Sequence, residues 1–320
     1  MALNLAGILL PVTTPFSADE HFDEAAFTRN FARWGKTGVA GYVVLGSTGE
    51  RVNLNESEYR QVIEVARAAV PDTMSFIVGA GQQSTRATIQ EIILAAKAGT
   101  EAVLVITPGY YRSAITQAAL IEHYQVVADG APVPVILYSM PDLTGIKIEP
   151  ETVAYLSEHR NIIGIKDSST DLTGLAKTIQ LVRSDFAVMI GNGTILADAL
   201  SLGVRGAILA VGCAVPGLCL EIYEAHKNGD RERAALLQER LTPFARAVTK
   251  TYGIGGLKAA MELAGYEGGR VRAPLSMPND AACAEIESLL RDATAASESR
   301  RIGIAVESRL IGAPNNHRVE

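Results

Sequence analysis

The sequence predicts an α/β protein, a (β/α)8 TIM barrel with a C-terminal helical appendage. Two observations carry that expectation. Eight short apolar runs, mostly β-branched, lie before residue 212, and longer amphipathic segments alternate with them. Near-continuous apolar runs suit parallel strands covered on both faces. Eight alternating units favour a sheet closed on itself over an open, doubly wound one.

The runs fall at residues 7–13, 42–45, 75–78, 102–106, 133–138, 162–166, 187–190 and 206–211. Between them lie helical patterns such as residues 55–69 and 84–97, opened by the capping residues Asn55 and Ser84, with Gly99 closing the second. After the eighth run the pattern stays helical, at about 217–227, 230–249, 254–264 and 280–296. The expected organisation is a barrel over residues 1–225, a C-terminal helical region over 226–296 and a flexible tail over 297–320.

About half of the 320 residues are apolar, enough for a large core. The net charge of −6 is spread without a basic block, which argues against nucleic acid or anionic lipid and for a small-molecule partner. Cys213, Cys219 and Cys283 have neither C-x-x-C spacing nor an even count, so neither a metal cluster nor a disulfide framework is expected. A reducing cytoplasm fits that usage. No stretch reaches the roughly 20 apolar residues of a membrane span.

A barrel carries its chemistry on the loops after the C-terminal ends of its strands. Lys166 ends the sixth run, where burial disfavours an ammonium and leaves an amine able to attack a ketone. The plainer reading is a lysine already outside the barrel. Tyr138 ends the fifth run and would share that mouth, or it is a half-buried core tyrosine with its hydroxyl in water. The loop Gly46-Ser47-Thr48-Gly49-Glu50 offers two hydroxyls and free N–H groups, the equipment for gripping a carboxylate, and is otherwise an ordinary tight turn. Tyr110, Tyr111 and Arg112 follow the fourth run and could serve the site or an oligomer contact. Gly191-Asn192-Gly193 follows the seventh, where many barrels bind phosphate, but the eighth run ends with no second glycine pair and no lysine. The five histidines are scattered away from the strand-end loops, so no metal site is indicated.

Four motifs, Gly46-Ser-Thr-Gly-Glu50, Thr107-Pro-Gly-Tyr-Tyr111, Tyr138-Ser-Met-Pro141 and Gly164-Ile-Lys-Asp-Ser168, resemble the dihydrodipicolinate synthase and N-acetylneuraminate lyase superfamily over roughly residues 3–290. The resemblance implies a Schiff-base lyase acting on pyruvate, needing no metal or organic cofactor, and a homotetramer built as a dimer of dimers. It implies Lys166 as the Schiff-base lysine, Tyr138 as proton shuttle, and Ser47 with Thr48 as carboxylate binder and relay. Tyr110 matches the tyrosine that a neighbouring subunit lends, with Tyr111 its near rival. Gly49, Leu143, Ser168 and Gly191 are the further substrate-binding expectations.

Within the superfamily, synthases carry an arginine at the position of Leu143, and sialic acid lyases an acidic pair where this chain has Gly193-Thr194. The sequence is most similar to 4-hydroxy-2-oxoglutarate aldolases, through Pro11-Val-Thr-Thr-Pro15, Tyr252-Gly-Ile-Gly-Gly-Leu-Lys258 and Arg272-Ala-Pro-Leu275, although those often show asparagine where Thr48 stands. The leading expectation is cleavage of a 4-hydroxy-2-oxo acid to pyruvate and an aldehyde. The alternatives are a 4-hydroxy-tetrahydrodipicolinate synthase, a 2-oxo-3-deoxy sugar-acid aldolase or dehydratase, and a non-catalytic metabolite-binding barrel.

Overall fold

Each apolar run coincides with a strand in the computed structural model, which describes residue 3 and residues 5–295. The expected tail over 297–320 lies outside the described residues. The strands are β1 (Gly7–Pro11), β2 (Gly41–Val44), β3 (Ser75–Ala80), β4 (Ala102–Ile106), β5 (Val135–Ser139), β6 (Ile162–Asp167), β7 (Ala187–Ile190) and β8 (Gly206–Ile208). They pair in chain order, all parallel, and β8 returns to β1 to close the barrel.

Of the boundaries that differ from the sequence reading, three have local reasons. β5 starts at Val135, because Pro134 has no N–H and contributes only its carbonyl, to Val103 N–H. β8 ends at Ile208, because Ala210–Cys213 tightens into a 3-10 turn. β1 stops at Pro11, beyond which the chain leaves the sheet.

The barrel interior is packed solid. Leu9, Val43, Ile77, Leu104, Ile136, Met189 and Ile208 are buried there in one cluster, each side chain contributing about 1.5–3 kcal/mol by leaving water. The alternate strand residues join a larger cluster beneath the surrounding helices. Two buried layers explain why the strands read as continuous apolar runs and not as alternating ones.

Around the strands lie α1 (Glu24–Trp34), α2 (Glu56–Ala69), α3 (Thr85–Lys97), α4 (Gln117–Gly130), α5 (Pro141–Thr144), α6 (Pro150–Ser157), α7 (Leu172–Leu181), α8 (Leu196–Leu202) and α9 (Pro216–Lys227). Side-chain caps open several of them. Asn55 and Glu58 form a reciprocal capping box on α2, and Ser84 accepts from Ala87 N–H on α3. α9 packs on β1 and α8 and so covers the seam of the barrel.

The chain then adds α10 (Arg231–Arg246), α11 (Gly253–Leu263) and α12 (Asp280–Thr294). α10 lies against the loop after β7, and its last turn widens into a π-helical turn at Ala247–Thr251. α12 rests on α10 and α11. No helix among the described residues is long and apolar enough to cross a membrane.

Candidate active site

Lys166 is buried, 5% exposed, near the C-terminal end of β6. It stands in register with Tyr138 on β5 and Met189 on β7, both members of the interior cluster, so its side chain shares the inner face. Its amine lies 4.4 Å from the centre of the Tyr138 ring. Of the two readings the sequence leaves open, a lysine within the barrel mouth is the one observed.

The space around that amine depends on a glycine. A Cβ at Gly191 would begin 2.5 Å from Lys166 Cε and 2.0 Å from Ser168 Oγ. Gly191 N–H donates to Asp167 O at 2.6 Å, which holds the loop after β7 against β6. Ser168 is itself buried, its N–H donating to Ser139 O at 3.0 Å. Burial also holds the Asp167 carboxyl above its ordinary range, opposed by the Ser169 N–H bonded to it.

Ser47–Gly49 forms a 3-10 turn immediately after β2. Two non-glycine residues in the left-handed region flank it, Leu45 at φ 58° and Glu50 at φ 54°, a strain of roughly 1–3 kcal/mol apiece that tends to gather at functional sites. β3 passes so close behind that a Cβ at Gly79 would meet Leu45 O at 2.2 Å. Gly49 and Glu50 N–H close the turn onto Gly46 and Ser47 carbonyls. Among the described residues, the N–H and hydroxyl groups of Ser47 and Thr48 donate to no protein acceptor, which leaves up to four donors for an anion.

Two charges that the sequence reading passed over bolt this loop down. Glu50 is buried and paired with Lys258 of α11 at 2.5 Å, and its other oxygen accepts from Arg272 N–H. Lys258 also donates to the carbonyls of Thr14 and Arg270, and desolvation pulls its ammonium down to about 8 against the opposing pull of Glu50. The neighbouring Arg51 pairs in the opposite direction with Glu91 of α3, which in turn accepts from Gly81 N–H. The available signal was a lysine inside the apolar stretch Gly255-Gly-Leu-Lys258-Ala-Ala-Met261, since a buried charge needs a partner.

The loop after β4 is anchored at its base and open at its tip. Gln83 Oε1 accepts from the N–H groups of both Gly109 and Tyr110, while the rings of Tyr110 and Tyr111 meet edge to face and are 76% and 69% exposed. In the described chain neither ring is covered. Arg112 Nε donates to Gly109 O, and its stem packs against Gly145. Thr107 Oγ1 donates to Thr144 Oγ1 at 2.9 Å, tying the β4 and β5 loops together. Leu143, on α5, is 57% exposed at the rim. The structure thus brings Lys166, Tyr138, Ser168 and Gly191 together around one amine and places Ser47, Thr48, Gly49, Tyr110 and Leu143 on loops at the same end of the barrel. No group of three or more His, Cys, Asp or Glu among the described residues is arranged to hold a metal, and the three cysteines are free.

A packed parallel barrel with a buried lysine at its mouth, beside a tyrosine and a donor-rich turn, is the arrangement of a lysine-dependent lyase. The chain belongs to the dihydrodipicolinate synthetase family, whose model matches residues 4–293. It is accordingly a lyase of the class I aldolase kind, working through a lysine Schiff base. It is 34% identical over 287 residues to the 4-hydroxy-tetrahydrodipicolinate synthase of Methanothrix thermoacetophila, covering 89% of this chain and 95% of that one. It is 35% identical over 291 residues to an uncharacterized DapA-like lyase of Halobacterium salinarum, covering 91% and 94%. Among solved structures, dihydrodipicolinate synthase DapA-2 of Bacillus anthracis superposes with a TM-score of 0.87 at 26% identity, covering 90% of this chain and 98% of that one. YagE, a prophage protein of E. coli K12 solved in complex with pyruvate, gives 0.84 at 30% identity, covering 91% and 99%.

Proposed function

We propose that Lys166 forms a Schiff base with pyruvate and that the enamine derived from it exchanges a carbon–carbon bond with an aldehyde. The observation that carries this reading is the buried Lys166 amine on the interior face, 4.4 Å from the Tyr138 ring, with room kept open by Gly191. The amine attacks C2 of pyruvate and water leaves, giving an iminium. Loss of a C3 proton gives the enamine, C3 attacks the aldehyde carbon, the new alkoxide takes a proton, and hydrolysis returns the amine. Tyr138 moves the protons, relayed through Ser47 to Tyr110 of a neighbouring subunit. The donors of Ser47 and Thr48 hold the C1 carboxylate, Gly49 closes the turn that presents them, and Ser168 and Gly191 line the reacting carbons.

Aspartate semialdehyde is the acceptor favoured by the names of the relatives, which makes the reaction that of a 4-hydroxy-tetrahydrodipicolinate synthase. A second reading, cleavage of 4-hydroxy-2-oxoglutarate, stays open because Leu143 offers only apolar surface where an arginine would pair with the acceptor carboxylate of a synthase, although its own glyoxylate carboxylate then needs a partner elsewhere on the rim. The exposed Tyr110 and Tyr111 fit a homotetramer in which a neighbour covers them.

Borohydride added with pyruvate will label the protein irreversibly on Lys166, and Lys166→Ala will lose both labelling and turnover while remaining folded. Labelling that maps to another lysine would refute the assignment. Condensation rates with aspartate semialdehyde and with glyoxylate, which would yield 4-hydroxy-2-oxoglutarate, then separate the two readings.

A further inference from the structure

If Leu143 leaves the acceptor's far end without an arginine, the rim must be searched for another cation. Arg112 is spent on Gly109 O and on packing at Gly145. Lys147 is bonded to Asp171 and stands by Glu149, and Lys258 is buried with Glu50. Lys250 is different. It lies on the π-helical turn that ends α10, a kind of local widening frequent at functional sites.

α10 is fastened along the mouth of the barrel by successive contacts. Gln238 donates to Gly193 O and accepts from Ala197 N–H, Thr242 Oγ1 donates to Thr194 O, and Ala245 Cβ lies 3.5 Å from where a side chain at Gly193 would begin. Gly193 is two residues past Gly191, which faces Lys166. From Ala245 the chain advances roughly 7 Å to position 250 at helical rise. There Lys250 Nζ stands 3.8 Å from the carboxylate of Asp142, the residue before Leu143 in α5. The pair therefore joins the helix that follows β5 to the helix fastened at the loop after β7, the strands on either side of β6, which carries Lys166.

The two side chains are 77% and 68% exposed, and an ion pair so wet and so long contributes little net free energy. Asp142 is therefore a partner that another carboxylate can displace. We propose that Lys250 receives the distal carboxylate of an acidic aldehyde acceptor, exchanging Asp142 for substrate, and so sets the preference of this site for acidic over neutral aldehydes. The inference rests on the pyruvate Schiff-base reading and identifies a specificity residue for it.

The test measures kcat/KM for condensation of pyruvate with glyoxylate, aspartate semialdehyde and the neutral D-glyceraldehyde, in wild type, Lys250→Met, Lys250→Arg and Asp142→Asn. Lys250→Met lowers the acidic-to-neutral ratio of kcat/KM at least tenfold, mainly through KM for the acidic aldehyde, and Lys250→Arg restores it. Asp142→Asn lowers KM for the acidic aldehydes, because the competing carboxylate is gone. An unchanged ratio in Lys250→Met, a raised KM in Asp142→Asn, or a wild type that favours glyceraldehyde more than tenfold would each overturn the proposal. Pyruvate and borohydride labelling keeps the two levels apart. Labelled Lys166 with an unchanged ratio removes the role of Lys250 alone, whereas an unlabelled wild type removes the underlying reading and this proposal with it.

Discussion

A methyl group at position 191 would overlap two side chains at once, Ser168 through its hydroxyl and Lys166 through its ε-carbon. Neither can retreat freely, because both are buried beside the packed interior. Gly191→Ala should therefore cost about 1–3 kcal/mol of stability, as overpacking does, and harm function more than folding by pushing the amine off its position. We expect borohydride labelling with pyruvate to slow at least tenfold in Gly191→Ala while the thermal transition stays cooperative and within a few degrees of wild type. Labelling at the wild-type rate would mean that this clearance does not govern the lysine. The same scale explains what the sequence revealed about the site. A lysine ending an apolar strand is costly unless used, so Lys166 stood out; Gly191 drew notice in a glycine pair and through the family resemblance, but not for the clearance it provides, because the atoms it makes room for come from a different strand.

Among the elements, the contact between α3 and α4 carries a titratable group that the chemistry does not use. His123 of α4 is buried, with Nδ1 at 2.9 Å from Thr85 Oγ1 of α3 and Nε2 enclosed without a partner among the described residues. Burial pulls its imidazole from an ordinary 6.5 to about 4. Between those values the unfolded chain binds a proton that the folded one refuses, so stability is fully present above pH 6.5 and is lost as pH falls toward 4. The full effect is about 3 kcal/mol. His123→Leu should remove it. The urea midpoint of wild type should fall more steeply than that of the variant from pH 7 to 4.5, and parallel profiles would disprove the assignment. Helices were legible through their caps, Asn55 and Ser84 above all. The tie between α11 and the turn after β2 was not, because Glu50 and Lys258 are 208 residues apart and a pair at that distance leaves no local periodicity. The pair of Asp142 with Lys250 was hidden for the same reason, each residue alone reading as an ordinary surface charge.

Over the whole molecule, the closed barrel was readable because two buried layers make every strand apolar throughout, unlike the alternation of an antiparallel sheet with one wet face, and because eight such strands alternate with amphipathic helical segments. Its interior filling has a kinetic consequence. With Leu9, Val43, Ile77, Leu104, Ile136, Met189 and Ile208 plugging the core beneath Lys166, the catalytic chamber is a blind-ended well that reactants must enter and leave from above. On the proposed reaction the keto acid has to reach the bottom first, and its condensation expels water before the aldehyde settles on top. The aldehyde then stacks above the enamine, and the single condensed product leaves by the same opening. Initial rates measured against both reactants should give parallel double-reciprocal lines, the signature of a ping-pong sequence, and an unreactive mimic of the aldehyde should inhibit competitively against the aldehyde and uncompetitively against pyruvate. Intersecting lines would mean that both reactants occupy the well before the first covalent step, which a chamber plugged from below and reached from above makes sterically awkward.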